Sequence, residues 1–320
     1  MPARFSALLV GEALRLRPAQ RVVVCAGGEA VAEPDLAGAL DTLAGRPATF
    51  ALVDLAVLGD EPSDIVTALR DLRARSPHTR LILLAAPSPP PCFPELLAEP
   101  WFNSLLALES PWFMEELAAT LRKRERGLAF GLGCHLPWGA EIREVTLAGS
   151  DSKGPALDDI AAFMAALGIG GRILNRLQDI ADEMIMNAVY DAPVGPDGKA
   201  KFAQESRQIA VLLAPEERPT LSFGSDGRTF AMGIRDPFGA LRADTLKGYI
   251  AKGLRRGADQ IDTKLGGAGL GLYLQFDFMG SMVVNLAPSR TTEMIGLLDI
   301  RGSFRDLATA PKSFSVFEAP

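Results

Sequence analysis

One amphipathic helix sets the terms for this chain. Residues 173–192 read ILNRLQDIADEMIMNAVYDA. Apolar side chains fall at Ile173, Leu177, Ile180, Ala181, Met184, Ile185 and Ala188, the i, i+3/i+4, i+7 spacing of a helix that buries one face. Glu183 and Asn187 stand one turn apart on another side, so a carboxylate and an amide can converge on one point. An ordinary solvated face carries such pairs as well. The rest of the chain has to decide between the two.

Upstream, short buried strands alternate with amphipathic helices. The pattern predicts a strand at Val22–Cys25, a helix over 35–44 and a strand Phe50–Val53 ending at Asp54. A helix over 62–75, a strand Leu81–Leu84, a proline cluster at 87–94, a strand near Ser104–Leu108 and a helix over 112–126 follow. Such alternation implies a parallel sheet with right-handed crossovers. A glycine-rich stretch, GLAFGLGCHLPWGA, reads as a linker over 127–140.

The second half begins with the alternating strand 142–147, then helices over 156–167 and 171–191. Strands are expected at 208–214, 219–224 and 229–235, with Ser225-Asp226-Gly227-Arg228 as a hairpin turn. A polar lid over 241–266 and strands at 281–286 and 293–300 complete the reading, an α/β sandwich with a mixed sheet and helices on one face. Two domains result, residues 1–126 and 141–320.

Composition supports two ordinary cores and narrows the partners. Of 320 residues, 48% are hydrophobic and 22% charged, so each domain can bury a core. The net charge of −6 argues against binding nucleic acid through its phosphate backbone as a main task. No apolar run is long enough to span a bilayer, and the first residues do not read as a secretory signal. The three cysteines, Cys25, Cys92 and Cys134, are widely spaced and form no metal motif, which fits a reduced cytoplasm. His78 and His135 both read as loop residues.

Residues 1–126 resemble a response-regulator receiver domain, with Asp54 where that family carries its phosphoacceptor. The accompanying chemistry is depleted. Ala26-Gly27-Gly28 stands where the family carries the acidic pair that holds Mg²⁺, Ala85 or Ala86 where it carries a hydroxyl residue, and Ser110 where it carries a lysine. Without those partners an aspartyl phosphate is poorly compensated. The resemblance therefore implies a degenerate receiver that docks a partner signalling protein or forms a homodimer.

Residues 141–300 resemble the GHKL ATPases, the histidine kinase-like (Bergerat) nucleotide-binding fold, and among them the anti-sigma serine kinases. Glu183-x-x-x-Asn187-Ala188 is similar to the N box, Asp236-Pro237-Phe238-Gly239 to the first glycine box and Gly267-Ala268-Gly269-Leu270-Gly271-Leu272 to the second. The resemblance implies ATP and Mg²⁺ as cofactors. Asp236 would accept from the adenine amino group, Thr292 would lie beside it, and Asn187 would hold the metal. Glu183 would polarise a water or a substrate hydroxyl. Gly239, Gly267, Gly269 and Gly271 would let the backbone approach the nucleotide. The chain departs from the family at Phe238, which replaces a glycine, and at Tyr190 and Asp191, where a basic residue is usual. Arg255, Arg256 and Lys264 are candidate replacement cations. Two functions follow. One is an ATP-dependent switch or kinase acting on Ser/Thr of a partner, gated by the receiver-like domain. The other is a non-catalytic scaffold working through protein contacts.

Overall fold

A computed structural model describes residues 4–137, 139–195, 199–202, 207, 209–256 and 270–319. The chain divides into two compact units: Met1–Gly127 with Pro311–Ser315, and Leu128–Ala310 with Val316–Pro320.

The first unit is built on five parallel strands, β1 (Phe5–Val10), β2 (Gly28–Glu33), β3 (Phe50–Asp54), β4 (Arg80–Ala85) and β5 (Ser104–Ala107). Their order, β2-β1-β3-β4-β5, is one of the two common doubly wound orders, with the topological crevice at the carboxyl ends of β1 and β3. Helices α1 (Arg17–Cys25), α2 (Leu36–Gly45), α3 (Pro62–Arg75), α4 (Phe93–Leu96) and α5 (Phe113–Arg126) connect them. Leu9, Phe50, Leu52, Val23, Leu117 and Leu121 meet in the core.

Two expectations are corrected here. Val22–Cys25 is not a strand but the end of α1, which has Pro18 in its first turn, where a missing N–H costs nothing. Val22 and Val23 are buried while Val24 is 59% exposed, the one-sided burial of a helix. The first strand is the earlier run Phe5–Val10, so the residues after it are Gly11 and Glu12 rather than Ala26-Gly27-Gly28. The second correction concerns the far end of the chain. Phe314 and Ser315 pair antiparallel with Leu105 and Ser104 of β5. Phe314 stacks on Phe102 at 6.2 Å and meets Phe93 edge-on at 6.0 Å. Ser313 Oγ donates to buried Glu116 at 2.8 Å and accepts from the Ala107 amide at 3.0 Å. A segment assigned by sequence to the second domain thus completes the first.

The second unit contains β6 (Glu141–Thr146), β7 (Thr220–Ser225), β8 (Thr229–Asp236), β9 (Ser281–Ala287) and β10 (Thr291–Asp299), in the order β9-β10-β8-β7-β6. The pairs β9-β10, β10-β8, β8-β7 and β7-β6 are all antiparallel. The helices are α6 (Lys153–Ala166), α7 (Gly171–Met186), α8 (Ala243–Arg256), α9 (Leu270–Phe278) and α10 (Phe304–Ala308). The last strand, β11 (Ser313–Glu318), contributes Val316 onwards to this unit, where the Ala319 amide donates to Leu286.

Strand alternation sorts the sheet into two faces. One carries Phe223, Phe230, Met232 and Ile234, and Phe163 of α6 meets it 5.4 Å from Phe223. Asp236 and Thr292 share this helix-covered face. The other face carries Asn285 and Glu293, which tie down the stretch read as a linker. Glu293 accepts from the Gly131 amide at 2.9 Å and from Asn285 at 2.8 Å. The strand expected over 208–214 is absent among the described residues; Leu212 makes only an isolated bridge to Gly149. The proposed lid begins as α8 through Arg256, and residues 257–266 lie outside the described residues.

Candidate functional site

The stripe of α7 behaves as its periodicity demands. Leu177, Ile180, Ala181, Met184 and Ile185 are buried, leaving Glu183 and Asn187 on a half-exposed side. The helix does not stop at Met186. Asn187–Asp191 continues it as a π-turn, closed by the Ala192 amide donating to Asn187 O. Isolated π-turns are uncommon and occur often at functional sites. A π-turn winds less per residue than an α-turn, so Asp191 stays more nearly in line with Asn187 and Glu183.

All three side chains face one guanidinium. Arg207 Nη2 lies 3.0 Å from Asp191 Oδ2 and 3.5 Å from Asn187 Oδ1, and Nη1 lies 3.7 Å from Glu183 Oε2. Burial pushes the Asp191 carboxyl upward and Arg207 pulls it back, and because 39% of that side chain meets solvent, water screens much of both effects. Tyr190 anchors the Arg207 backbone, its hydroxyl donating to Ile209 O at 2.6 Å and Arg207 O at 3.3 Å. Arg207 was not singled out by sequence reasoning, and no local pattern marks it. Of the cations that were, Arg255 is exposed on α8, and Lys264 lies outside the described residues.

Asp236 ends β8 opposite Thr292 of β10. Its Oδ1 accepts from the Phe238 amide at 2.9 Å and the Gly239 amide at 3.2 Å. Burial raises the Asp236 pKa above the ordinary carboxylate value, and those two amides, followed by the Thr292 hydroxyl and amide, work against the rise. The Thr292 hydroxyl is buried near the carboxylate without a well-aligned hydrogen bond. Gly239 is at φ +61, and a Cβ there would come within 2.3 Å of Ala287 O and 2.7 Å of the Arg290 and Thr291 amides. Only glycine fits a turn this close to another turn. The π-turn packs against β8, so Asn187 and Asp236 belong to neighbouring elements.

Gly271 opens α9 directly against Glu183, where a Cβ would meet Glu183 Cβ at 2.7 Å and Oε2 at 2.9 Å. Gly267 and Gly269 lie outside the described residues. The residues present are compatible with the two expected cofactors. The oxygens of Glu183, Asn187 and Asp191 are a hard-cation donor set already holding a positive group, and Asp236 is a fixed hydrogen-bond acceptor. Among the described residues, no group of three or more His, Cys, Asp or Glu is placed to hold a metal ion, so protein ligands alone make a thin site.

A second polar cluster lies in the first unit. Asp54, 1% exposed, ends β3 and accepts from the Ala56 amide at 3.2 Å. Arg15 Nε lies 2.7 Å from Asp54 Oδ2, a close ion pair without the alignment of a hydrogen bond, and Arg15 also reaches Ala86 O at 3.4 Å. Burial raises the Asp54 pKa, the Ala56 amide and Arg15 lower it, and Glu12 raises it. Glu12 is therefore the acidic neighbour after β1 that the misplaced first strand had hidden. Gly11 makes room for the cluster, since a Cβ there would lie 2.9 Å from Asp54 Cβ.

No protein-family model matches the chain, and no curated protein is detectably similar to it. Solved structures share likeness with it at low scores. The signal receiver domain of an HD domain-containing protein from Pseudomonas fluorescens Pf-5 is 23% identical, covering 39% of this chain and 90% of that one, with a TM-score of 0.33. The receiver domain of the putative response regulator NarL from Mycobacterium tuberculosis is 20% identical over 40% of this chain and 100% of that one, with a TM-score of 0.30. The Legionella pneumophila response regulator LqsR is 12% identical over 94% of this chain and 88% of that one, with a TM-score of 0.30. The receiver-like character of the first unit rests on its own strand order and on Asp54 at the end of β3. No described helix is long and apolar enough to cross a membrane.

Proposed function

We propose that the second unit is a GHKL-type adenine-nucleotide-binding domain, and that the first is a receiver-like module that docks a partner signalling protein without being phosphorylated. The observation that carries this reading is the placement of Asp236 opposite Thr292 on the helix-covered face, with the Asn187–Asp191 turn packed against the same strand. Two residues 56 positions apart in sequence thus stand opposite each other in the register of β8 on β10, which supports reading them as one site.

Bound ATP with its Mg²⁺ would supply the transferable phosphoryl group. The chain's own contribution is positional. Asp236, fixed by the Phe238 and Gly239 amides, presents an acceptor that favours an amino-bearing purine edge over a carbonyl-bearing one. Asn187 offers an oxygen to the metal, and Glu183 stands one turn before it as a proton acceptor. In the first unit, the absence of a lysine at Ser110 and the Arg15 contact on Asp54 leave little to stabilise an aspartyl phosphate.

Calorimetric titration of ATP into the full chain, with and without Mg²⁺, tests this reading alongside Asp236→Asn. Binding that weakens about 5- to 150-fold in the variant is expected, the cost of an impaired buried polar contact of about 1–3 kcal/mol. Equal affinity in the two proteins would remove the adenine assignment. A non-catalytic scaffold is the second reading, favoured by one observation: Arg207 already engages the oxygens that a metal would need.

A further inference from the structure

We propose that Arg207 is a built-in competitor for a divalent cation, holding the oxygens of Glu183, Asn187 and Asp191 and releasing them only when metal enters. This rests on the nucleotide-binding reading for the identity of the site and adds how that site is regulated. The three oxygens come from successive turns of one helix and its π-turn, and each has a guanidinium nitrogen within 3.0 to 3.7 Å. They are two carboxylates and an amide, the oxygen chemistry a hard cation takes. With Arg207 in place the group carries a net charge of −1, two carboxylates against one guanidinium. A divalent ion in its stead would bring it to zero.

The attachment of Arg207 suits an exchangeable role. Its backbone oxygen accepts from the hydroxyl of Tyr190, a buried side chain of the π-turn itself. Its side chain is 40% exposed, and so is that of Glu183. The guanidinium can therefore swing into solvent without moving the backbone that carries it. Exposed pairs of this kind are weak individually, so displacement is feasible at millimolar metal. Released, the guanidinium also becomes available to an incoming phosphate, a bidentate partner for which arginine is well shaped. Competition by Arg207 thus couples metal entry to the presence of a polyanion, because the metal alone must pay for expelling a cation that the nucleotide would take over.

Mn²⁺ alone, followed by the paramagnetic resonance of the free ion, reads this without nucleotide or turnover. In the full chain, Arg207→Ala and Arg207→Gln are expected to bind Mn²⁺ about 2- to 5-fold more tightly than the unsubstituted protein, the range set by a weak, exposed pairing. Arg207→Lys, which keeps the charge, should recover most of the competition. The gain should vanish in Arg207→Ala/Asn187→Ala. Unchanged or weaker Mn²⁺ binding in both Arg207→Ala and Arg207→Gln, with melting temperatures matching the parent, would overturn the proposal, as would a gain that survives loss of Asn187. Failure of the nucleotide reading would show differently, as ATP binding indifferent to Asp236→Asn while the Mn²⁺ gain persists.

Discussion

Both units set an arginine against carboxylates, and they do so under opposite conditions. In the first, Asp54 is 1% exposed and its partner Arg15 is 34% exposed, so one charge is sealed and the other half open. In the second, Arg207, Glu183 and Asp191 are all about 40% exposed. A sealed carboxylate depends on its arginine, because leaving it unpaired in a low-dielectric core is costly. An open cluster depends on its arginine hardly at all, because water stands ready to replace it. The same pair of residue types is therefore a structural fixture in one place and an exchangeable group in the other.

The sharpest way to break this contrast is to remove each arginine in turn. Arg15→Ala is expected to destabilise the protein by about 2–4 kcal/mol at neutral pH, somewhat below the usual cost of orphaning a buried charge because Arg15 is partly solvated. Arg207→Ala should cost under about 1 kcal/mol. Urea unfolding curves of the two variants give both numbers, and equal losses would erase the distinction. Next in size is the pH response of Asp54→Asn. The folded pKa of Asp54 is raised, so its protonated form favours folding in full below the ordinary carboxylate pKa, and that contribution is lost as pH rises from the ordinary value through the raised one. The asparagine variant should be the more stable protein at neutral pH, with its advantage shrinking to nothing in acid; an advantage independent of pH would point to packing instead. The smallest effect is salt. Raising ionic strength to about 1 M shortens the screening length to about 3 Å, which should weaken what remains of the Arg207 contribution and leave that of Arg15 nearly intact.

How much of this was legible beforehand depends on how local the signal is. The α7 stripe, the Ser225–Arg228 turn and the strands flanking it were readable, because period and turn chemistry lie within a few residues of one another. Val22, Val23 and Val24 misled, because β-branched residues favour strands intrinsically while the packing of α1 against α5 overrode that preference. The strand β2, GEAVAE, carries weak strand-formers and went unseen. Glu183, Asn187 and Asp236 were singled out by box spacing, whereas Arg207 and Arg15 make contacts that no spacing encodes. The opposition of Asp236 and Thr292 needed the register of β8 on β10, which only the folded sheet supplies.

One consequence concerns the order in which the protein can be assembled. The aromatic plug Phe314 and the hydroxyl of Ser313 belong to a unit whose first strand starts at Phe5. During synthesis the ribosome delivers β1 to β5 early, with the outer edge of β5 unpaired until residues 313–315 emerge some two hundred residues later. An unpaired edge is an invitation to the wrong partner. Nascent chains stalled shortly before residue 313 should accordingly recruit chaperones or aggregate, and the final few residues act as the closing stitch of the first thing made.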